Sequence, residues 1–214
     1  MNVLRQTKNQ DSNPERGPRV RTRGLMMETA IRLMQNGDTP SVSDVADAAE
    51  VSRATAYRYF PSQAELIQDV VEEALGPIIR WESTELNIDD RLSEFFESSL
   101  PRIFKFESTF RAALQHSLNR QSKRDKTAKV EDEFKRGHRI DLLRKAIDPL
   151  QNELSPRQMT NLVKALSLLF GIESIIVLKD IGHLNSKETQ STIQWAAKAM
   201  VQKALNDAKQ GDGI

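Results

Sequence analysis

Hydrophobic residues recur at helical spacing along most of the chain. Met27, Ala30, Ile31 and Met34 form the first stripe, whose i, i+3, i+4, i+7 spacing predicts an amphipathic helix over 23–36. Similar stripes predict helices over 63–75, 89–106, 109–119, 130–148 and 157–180, and a last helix after Ser186 that ends near Ala208. Together with two shorter helices described next, the pattern predicts an all-α fold of about nine helices.

The two shorter helical patterns lie between residues 41 and 66. Residues 53–60 form the second pattern, and 50–52 are left as a tight turn. One face of the first pattern carries Val42, Val45, Ala46 and Ala49. Helix, short turn and helix is the layout of a helix-turn-helix, in which the second helix enters the major groove of DNA. Two short amphipathic helices also occur in other helical proteins, so the spacing alone leaves a purely structural role open.

Three serines supply start signals for these helices. Ser41 is followed three residues later by Asp44, and Ser62 by Glu65, which is the spacing of a capping box. Ser52 stands where it can cap the second short helix. The three signals predict helix starts at about 42, 53 and 63.

The residue identities of this segment resemble a known family. Residues 51–60, with the sequence VSRATAYRYF, closely resemble the signature of tetracycline-repressor-like (TetR family) regulators. The segment before it, Val45-Ala46-x-x-Ala49, and the segment at its end, Phe60-x-Ser62, also resemble the family pattern. The resemblance covers about residues 23–70. It implies an N-terminal three-helix helix-turn-helix domain followed by a C-terminal helical bundle for ligand binding and dimerisation.

The chain departs from that family pattern at two positions. Glu50 stands where most members carry Gly, and at positive φ a glutamate costs roughly 1 kcal/mol. Gln63 stands where many members carry Lys, so an expected phosphate contact at the start of the next helix is weaker or absent.

The resemblance also implies roles for single side chains on double-stranded DNA. Those expected to face bases are Ser43, Arg53 and Thr55, with Ala54 or Ala56 against a thymine methyl group. Those expected to face phosphates and sugars are Tyr57, Arg58, Tyr59 and Ser62. For Tyr57 the alternative is a place in the hydrophobic core, and Phe60 is expected to lie in that core.

Residues 1–20 are polar and predict a flexible basic tail. Arg21 and Arg23 follow it, directly before the first stripe and with no acidic residue between them. They belong either to a solvated arm or to an arm that contacts phosphates and the minor groove, and their position beside the motif favours the second. The predicted division is this tail, a helix-turn-helix domain over 21–66, and a ligand-binding and dimerisation domain over 67–209.

The middle and last helices carry two further predictions. Aromatic residues predict an effector pocket, although ordinary core packing is an equal alternative: Trp81, Phe96, Phe104, Phe110 and Phe170, with Glu173 as a polar group. The predicted helix 157–180 is apolar almost all round and must be covered, and the last helix carries an alanine-rich stripe. These helices predict a homodimer interface through Leu169, Ile176, Ile193, Ala197, Met200 and Ala204.

Composition excludes several classes of site. The net charge is +1, so a nucleic-acid patch must be local, and the chain has no cysteine for thiol chemistry or thiolate zinc sites. The three histidines do not have metal-ligand spacing, and no Gly-rich phosphate loop or GxSxG elbow occurs. No apolar run reaches the length of a membrane span, so a cytoplasmic protein is expected. We therefore expect neither enzymatic activity nor a metal or other cofactor.

The sequence thus predicts a ligand-responsive transcriptional regulator. The expected form is a repressor that binds a palindromic operator as a homodimer and is released by a small-molecule effector. The alternative is a helical small-molecule sensor or carrier that does not bind DNA.

Overall fold

The computed structural model describes residues 17–122 and 138–211, and within them every regular element is helical. The prediction of an all-α fold is confirmed. The predicted tail over 1–16 and the first part of the predicted helix 130–148 lie outside the described residues. The ten α-helices are α1 Pro18–Gln35, α2 Val42–Ala48, α3 Arg53–Tyr59, α4 Gln63–Ile79, α5 Ile88–Lys105, α6 Glu107–Ser122, α7 His138–Ala146, α8 Pro156–Leu166, α9 Ile172–Ile176 and α10 Ser186–Gln210.

Helices α1 to α3 form a small N-terminal bundle. Its interior includes the fully buried side chains Met26, Met34, Val45 and Phe60. Helix α1 begins five residues before the predicted start, because the carbonyl of Gly17 accepts hydrogen bonds from the next turn and opens the helix there. The prediction that the arm reaches Arg23 is therefore wrong in its placement. Arg21 and Arg23 lie on α1.

Helix α4 runs from the N-terminal bundle into the larger C-terminal part. The sequence predicts an end at residue 75, but α4 continues through Gly76 and Pro77 to Ile79. Pro77 cannot donate to the carbonyl of Glu73, four residues earlier, and Arg102 of α5 donates to that carbonyl instead, at 3.0 Å. Arg102 also donates to the carbonyl of Ala74. A side chain from another helix thus replaces the missing backbone donor.

The C-terminal part packs around a cluster of aromatic rings. Phe95 lies at its centre, with ring centroids 5.0 Å from Trp81, 5.3 Å from Phe96 and 4.8 Å from Phe170. Helix α10 packs against α5 and α8, and α6 packs against both α1 and α4. Helices α4 and α6 are therefore the elements that join the two parts of the molecule.

The predicted single helix over 157–180 is wrong. Helix α8 ends at Leu166, and α9 begins only at Ile172 and continues into one π-helical turn, Val177–Ile181. Gly171 separates them with φ of 152°, a conformation that residues with a Cβ atom rarely adopt. Helix α8 begins at Pro156, one residue before the predicted start, and Ser155 caps it. The cap of α10 is Asn185 rather than Ser186. Among the described helices, none combines the length and the apolar character that a membrane span requires.

Candidate nucleic-acid interface and internal cavity

Hydrogen bonds at the predicted caps hold α2 and α3 in place. The backbone N–H of Asp44 donates to Ser41 Oγ at 3.2 Å, and the N–H of Ser41 donates to Asp44 Oδ2 at 2.8 Å. The second of these bonds holds the pKa of the Asp44 carboxyl below its usual value. At the next helix the N–H of Thr55 donates to Ser52 Oγ at 3.2 Å. Each helix start predicted from these serines is confirmed.

The turn between α2 and α3 places Glu50 in the left-handed region, at φ of 54°. The N–H of Val51 donates to the carbonyl of Ala46 at 2.9 Å, and the N–H of Glu50 to that of Asp47 at 3.3 Å. This pair of bonds is a Schellman motif, in which the residue at Glu50's position is usually glycine. The turn therefore carries a local strain of about 1 kcal/mol.

The outer face of α3 is the candidate base-reading surface. Arg53, Ala54 and Arg58 are exposed, as is Tyr57, whose 47% exposure excludes a place in the core. Thr55 and Tyr59 are half-buried. The inward side consists of Ala56 and Phe60, both fully buried. Ala56 therefore cannot contact a thymine methyl group, which leaves Ala54 as the candidate, and the core placement of Phe60 is correct.

Polar contacts connect this face of α3 to α2. Arg53 donates to both carboxylate oxygens of Asp47, from Nη2 at 2.8 Å and from Nε at 3.4 Å. Ser43 Oγ and the Tyr57 hydroxyl lie 3.3 Å apart at hydrogen-bond distance. Two of the predicted base-facing residues are thus each linked to the other helix of the motif.

Arg23 and Gln63 support the motif from behind. Arg23 of α1 forms a 2.6 Å ion pair with Asp69 of α4, and its guanidinium lies over the ring of Phe60, 5.4 Å from the centroid. Gln63 donates from Nε2 to two backbone carbonyls in the loop before α2, each at 3.0 Å. Arg21 is exposed on α1, and Ser62 caps α4 through the N–H of Glu65 at 3.2 Å. Arg23 and Gln63 therefore fix the orientation of α1 and α4 around the motif.

A cavity of about 130 Å³ lies between α4, α5, α6, α7 and α9. Three of the predicted pocket residues line it, namely Phe110, Phe170 and Glu173. The other three do not: Trp81 and Phe96 belong to the ring cluster, and the ring of Phe104 lies under the Lys179 ammonium group, 4.7 Å from its centroid. Three of the five predicted aromatic residues therefore do not line this cavity.

Apart from Glu173, sequence reasoning missed the polar groups of this cavity, and it also missed the wall on α4. The wall on α4 consists of Gln68, Val71, Glu72 and Leu75, whose i, i+3, i+4, i+7 spacing is the signal that could have found it. His138 and Arg139 line the cavity from α7. Arg139 Nη2 donates to Glu173 Oε2 at 2.6 Å. This ion pair lies directly against Gly171, where an added Cβ atom would lie 2.1 Å from Arg139 Nη2.

The predicted dimer residues divide into two groups. Ile193 and Ala197 are fully buried within the protomer, because the i, i+4 stripe of α10 faces α5 and α8, so the expectation that they contact a partner is wrong. The others are half-buried: Leu169, Ile176, Met200 and Ala204. Sequence reasoning missed four exposed hydrophobic side chains on neighbouring elements, namely Leu168 at 72%, Val177 at 53%, Ile181 at 72% and Trp195 at 73% exposure.

The fold and the capped, exposed α2–α3 pair define the chain as a helix-turn-helix protein. Residues 27–70 match the family model described as bacterial regulatory proteins, tetR family. This segment of the chain is therefore similar to the N-terminal domain of TetR-family regulators.

One curated relative and two solved structures are similar to this chain. The chain is 30% identical over 90 residues to the HTH-type transcriptional repressor LfrR of Mycolicibacterium smegmatis, a match that spans 40% of this chain and about half (48%) of that repressor. A crystal structure of a TetR transcriptional regulator from Rhodococcus sp. RHA1 aligns with TM-score 0.58 and 20% identity, over 84% of this chain and 96% of that one. A protein described as a transcriptional regulator from Pseudomonas aeruginosa PAO1 aligns with TM-score 0.62 and 16% identity, over 94% and 99%. At these identities the two structures show a shared fold.

Proposed function

We propose that this protein is a transcriptional repressor that binds a palindromic DNA operator as a homodimer and leaves it when a small molecule occupies the cavity. The observation that carries the proposal is the outer face of α3. Arg53 and Arg58 are exposed there on a helix capped by Ser52, in a motif whose inward side chains are fully buried. A rigid, cationic helix presented in this way matches the reading helix of a helix-turn-helix.

The exposed hydrophobic side chains support the homodimer. Large exposed hydrophobic side chains clustered on neighbouring elements are typical of a protein–protein interface, and tryptophan is enriched at the centre of such interfaces. Trp195 lies on α10, and Val177 and Ile181 lie on the π-helical turn that contacts α10. A two-fold dimer through this surface presents the same face of both copies. Its symmetry explains why the operator should be palindromic, with α3 helices about 34–36 Å apart.

The position of the cavity supports release by a ligand. Only three residues separate the end of α3 from the start of α4, and α4 lines the cavity with Val71 and Leu75. Helix α6 lines the cavity with Phe110 and packs against α1 and α4. A ligand that binds better when these helices are displaced shifts the population toward that arrangement. The spacing of the two α3 helices then no longer fits successive major grooves.

Mostly apolar walls with a few polar groups indicate the kind of effector. Phe110, Phe170 and Leu142 supply apolar surface, while Glu72 and the Arg139–Glu173 pair supply charges. A small hydrophobic molecule with at least one hydrogen-bonding group fits this combination. Gly171 leaves the space in which the Arg139 guanidinium lies at the cavity wall.

Selection of duplexes from a random pool tests this function. We expect the purified protein to enrich duplexes with an inverted repeat and to bind them with an affinity that falls linearly with the logarithm of salt concentration. A protein that binds hydrophobic small molecules but enriches no duplex and shows no salt-dependent DNA binding would be a sensor or carrier, and the repressor proposal would be wrong.

A further inference from the structure

The contact between Arg53 and Asp47 has a specific orientation. Asp47 Oδ2 accepts from Nη2 at 2.8 Å, and Oδ1 faces Nε at 3.4 Å. Both side chains are mostly exposed, with 66% and 60% of their surfaces accessible. The carboxylate therefore lies along the side of the guanidinium group that carries Nε, and the end formed by Nη1 and Nη2 faces away from it.

The free end of the guanidinium is the edge that recognises guanine. Arginine carries several N–H donors in a planar fork, and Nη1 and Nη2 together can donate to O6 and N7 of one guanine. A carboxylate that bonds Nε and one hydrogen of Nη2 leaves that pair of donors available. The Asp47 contact thus restrains Arg53 without occupying the donors needed for a base.

We propose that Asp47 is a specificity-determining residue that holds Arg53 side-on and directs its free edge to a guanine in the operator. The proposal rests on the proposed DNA-binding function. Asp47 acts through Arg53 and is a positioning residue, since it needs no contact with DNA of its own.

The cost of a carboxylate on this surface supports such a role. A negative charge on the DNA-facing motif repels phosphates, and Asp47 lies on α2 directly beside the reading helix. The pair with Arg53 cancels that charge locally, so it adds no net attraction to the DNA backbone. Asp44, the other aspartate of α2, is already bound by the N–H of Ser41 and cannot take the place of Asp47. What the pair contributes is the orientation of the guanidinium.

Removal of Asp47 should have a characteristic effect on binding. An unrestrained arginine has a long flexible side chain that reaches phosphates as readily as bases. In Asp47→Ala we expect affinity for random duplex to rise, because a repulsive charge is lost and Arg53 is freed. Discrimination in favour of guanine should fall at the same time. A residue with a merely structural role would change the two affinities together.

The experiment uses the full chain and an operator selected from a random pool. Each guanine of one half-site is replaced in turn by adenine, with both half-sites changed symmetrically. In the wild type we expect one replacement to weaken binding by about tenfold or more, which identifies the guanine read by Arg53. In Asp47→Ala that penalty should shrink to roughly threefold or less, while Asp47→Asn, which keeps one acceptor oxygen, should fall between them.

Glu50→Gln is the matched control, because it removes one negative charge from the same motif at an exposed position. It should raise affinity for random duplex slightly and leave the guanine penalty unchanged. Full guanine discrimination in Asp47→Ala, or an equal effect of both variants, would overturn the assignment of Asp47. If the wild type enriched no duplex at all, the DNA-binding proposal itself would fail and this assignment with it. Unfolding midpoints close to the wild-type value confirm that both variants are folded, since exposed ion pairs contribute little stability.

Discussion

The guanidinium of Arg102 donates to the carbonyl oxygen of Glu73 at 3.0 Å, and this is the carbonyl that Pro77 leaves without its helical partner. The consequence is a helix α4 that is continuous from the helix-turn-helix to the wall of the cavity. A displacement of α4 at Leu75 can therefore be transmitted to Gln63 through one continuous helix.

We expect Arg102→Met to destabilise the protein by about 1–3 kcal/mol, because it leaves the carbonyls of Glu73 and Ala74 without this donor. Denaturant unfolding measures the change. Pro77→Ala provides the test of mechanism, since it restores a backbone N–H to Glu73. In the Pro77→Ala background, Arg102→Met should lower the free energy of unfolding by about 1 kcal/mol less than it does in the wild type. The stacking of Arg102 on Phe106 is the same in both backgrounds and cancels in the comparison. An equal cost in both would show that Arg102 does not compensate for the proline.

Glu50→Gly should stabilise the protein by up to about 1 kcal/mol, because glycine adopts φ of 54° without steric cost. Glu50→Ala is the control, since it removes the same charge but keeps a Cβ atom. Urea midpoints of the two variants should differ, with only the glycine variant above the wild type. If the midpoints of both variants rose equally above that of the wild type, the charge of Glu50, and not its backbone conformation, would limit the stability of the turn.

Trp195→Glu should convert the proposed homodimer into monomers, because it places a charge in the exposed hydrophobic surface of α10. Sedimentation velocity at micromolar concentration measures the result, and helix content should not change. Leu86→Glu, at a leucine that is 80% exposed before α5, is the control and should leave the dimer intact. A charge at Ala197 does not test association, since Ala197 is fully buried and the variant should unfold. A wild type that sediments as a monomer would contradict the dimer.

The ion-pair cluster of Glu107, Arg111, Lys179 and Asp180 gives a pH dependence. Burial by itself raises the pKa of Glu107, but hydrogen bonds from Lys179 at 2.7 Å and Arg111 at 2.8 Å outweigh it and hold the pKa below the usual 4.5. Arg111 likewise lowers the pKa of Asp180 below 3.8. Both carboxyls bind protons more weakly in the folded state. Their contribution to the free energy of unfolding is therefore fully present above their ordinary pKa values and is lost as the pH falls through the folded pKa values.

We therefore expect Glu107→Gln to be less stable than the wild type at neutral pH, with a difference that shrinks below about pH 4. Thermal unfolding of both proteins across this range measures it. A difference that is independent of pH would show that the glutamate acts through packing and not through its charge.

Local interactions were the part of this structure that could be predicted from sequence. The caps Ser41, Ser52 and Ser155 each bond a backbone group three residues away, so their effect is contained in a short segment. The same holds for the strain at Glu50, which follows from the turn that it occupies.

Contacts between distant segments could not be predicted in the same way. Pro77 has the local signature of a helix end, and only Arg102, on another helix, reverses it. The stripe that contains Ile193 shows that one face of α10 is covered, but not that the protomer itself covers it. Phe96 and Phe110 are both phenylalanines on the apolar stripe of a helix, so the sequence does not distinguish them. Only the packing of α6 places Phe110 at the cavity.

Recognition of bases by α3 is the central claim, and one titration series tests it most directly. Wild type, Arg53→Ala and Arg58→Ala are titrated against a selected operator and a random duplex at several salt concentrations. Arg53→Ala should weaken operator binding by about 1–3 kcal/mol and random binding much less. Arg58→Ala, at an exposed arginine expected to face phosphate, should weaken both equally and reduce the salt slope by about one unit. Equal losses of operator and random binding in Arg53→Ala would contradict the placement of α3 as the reading helix.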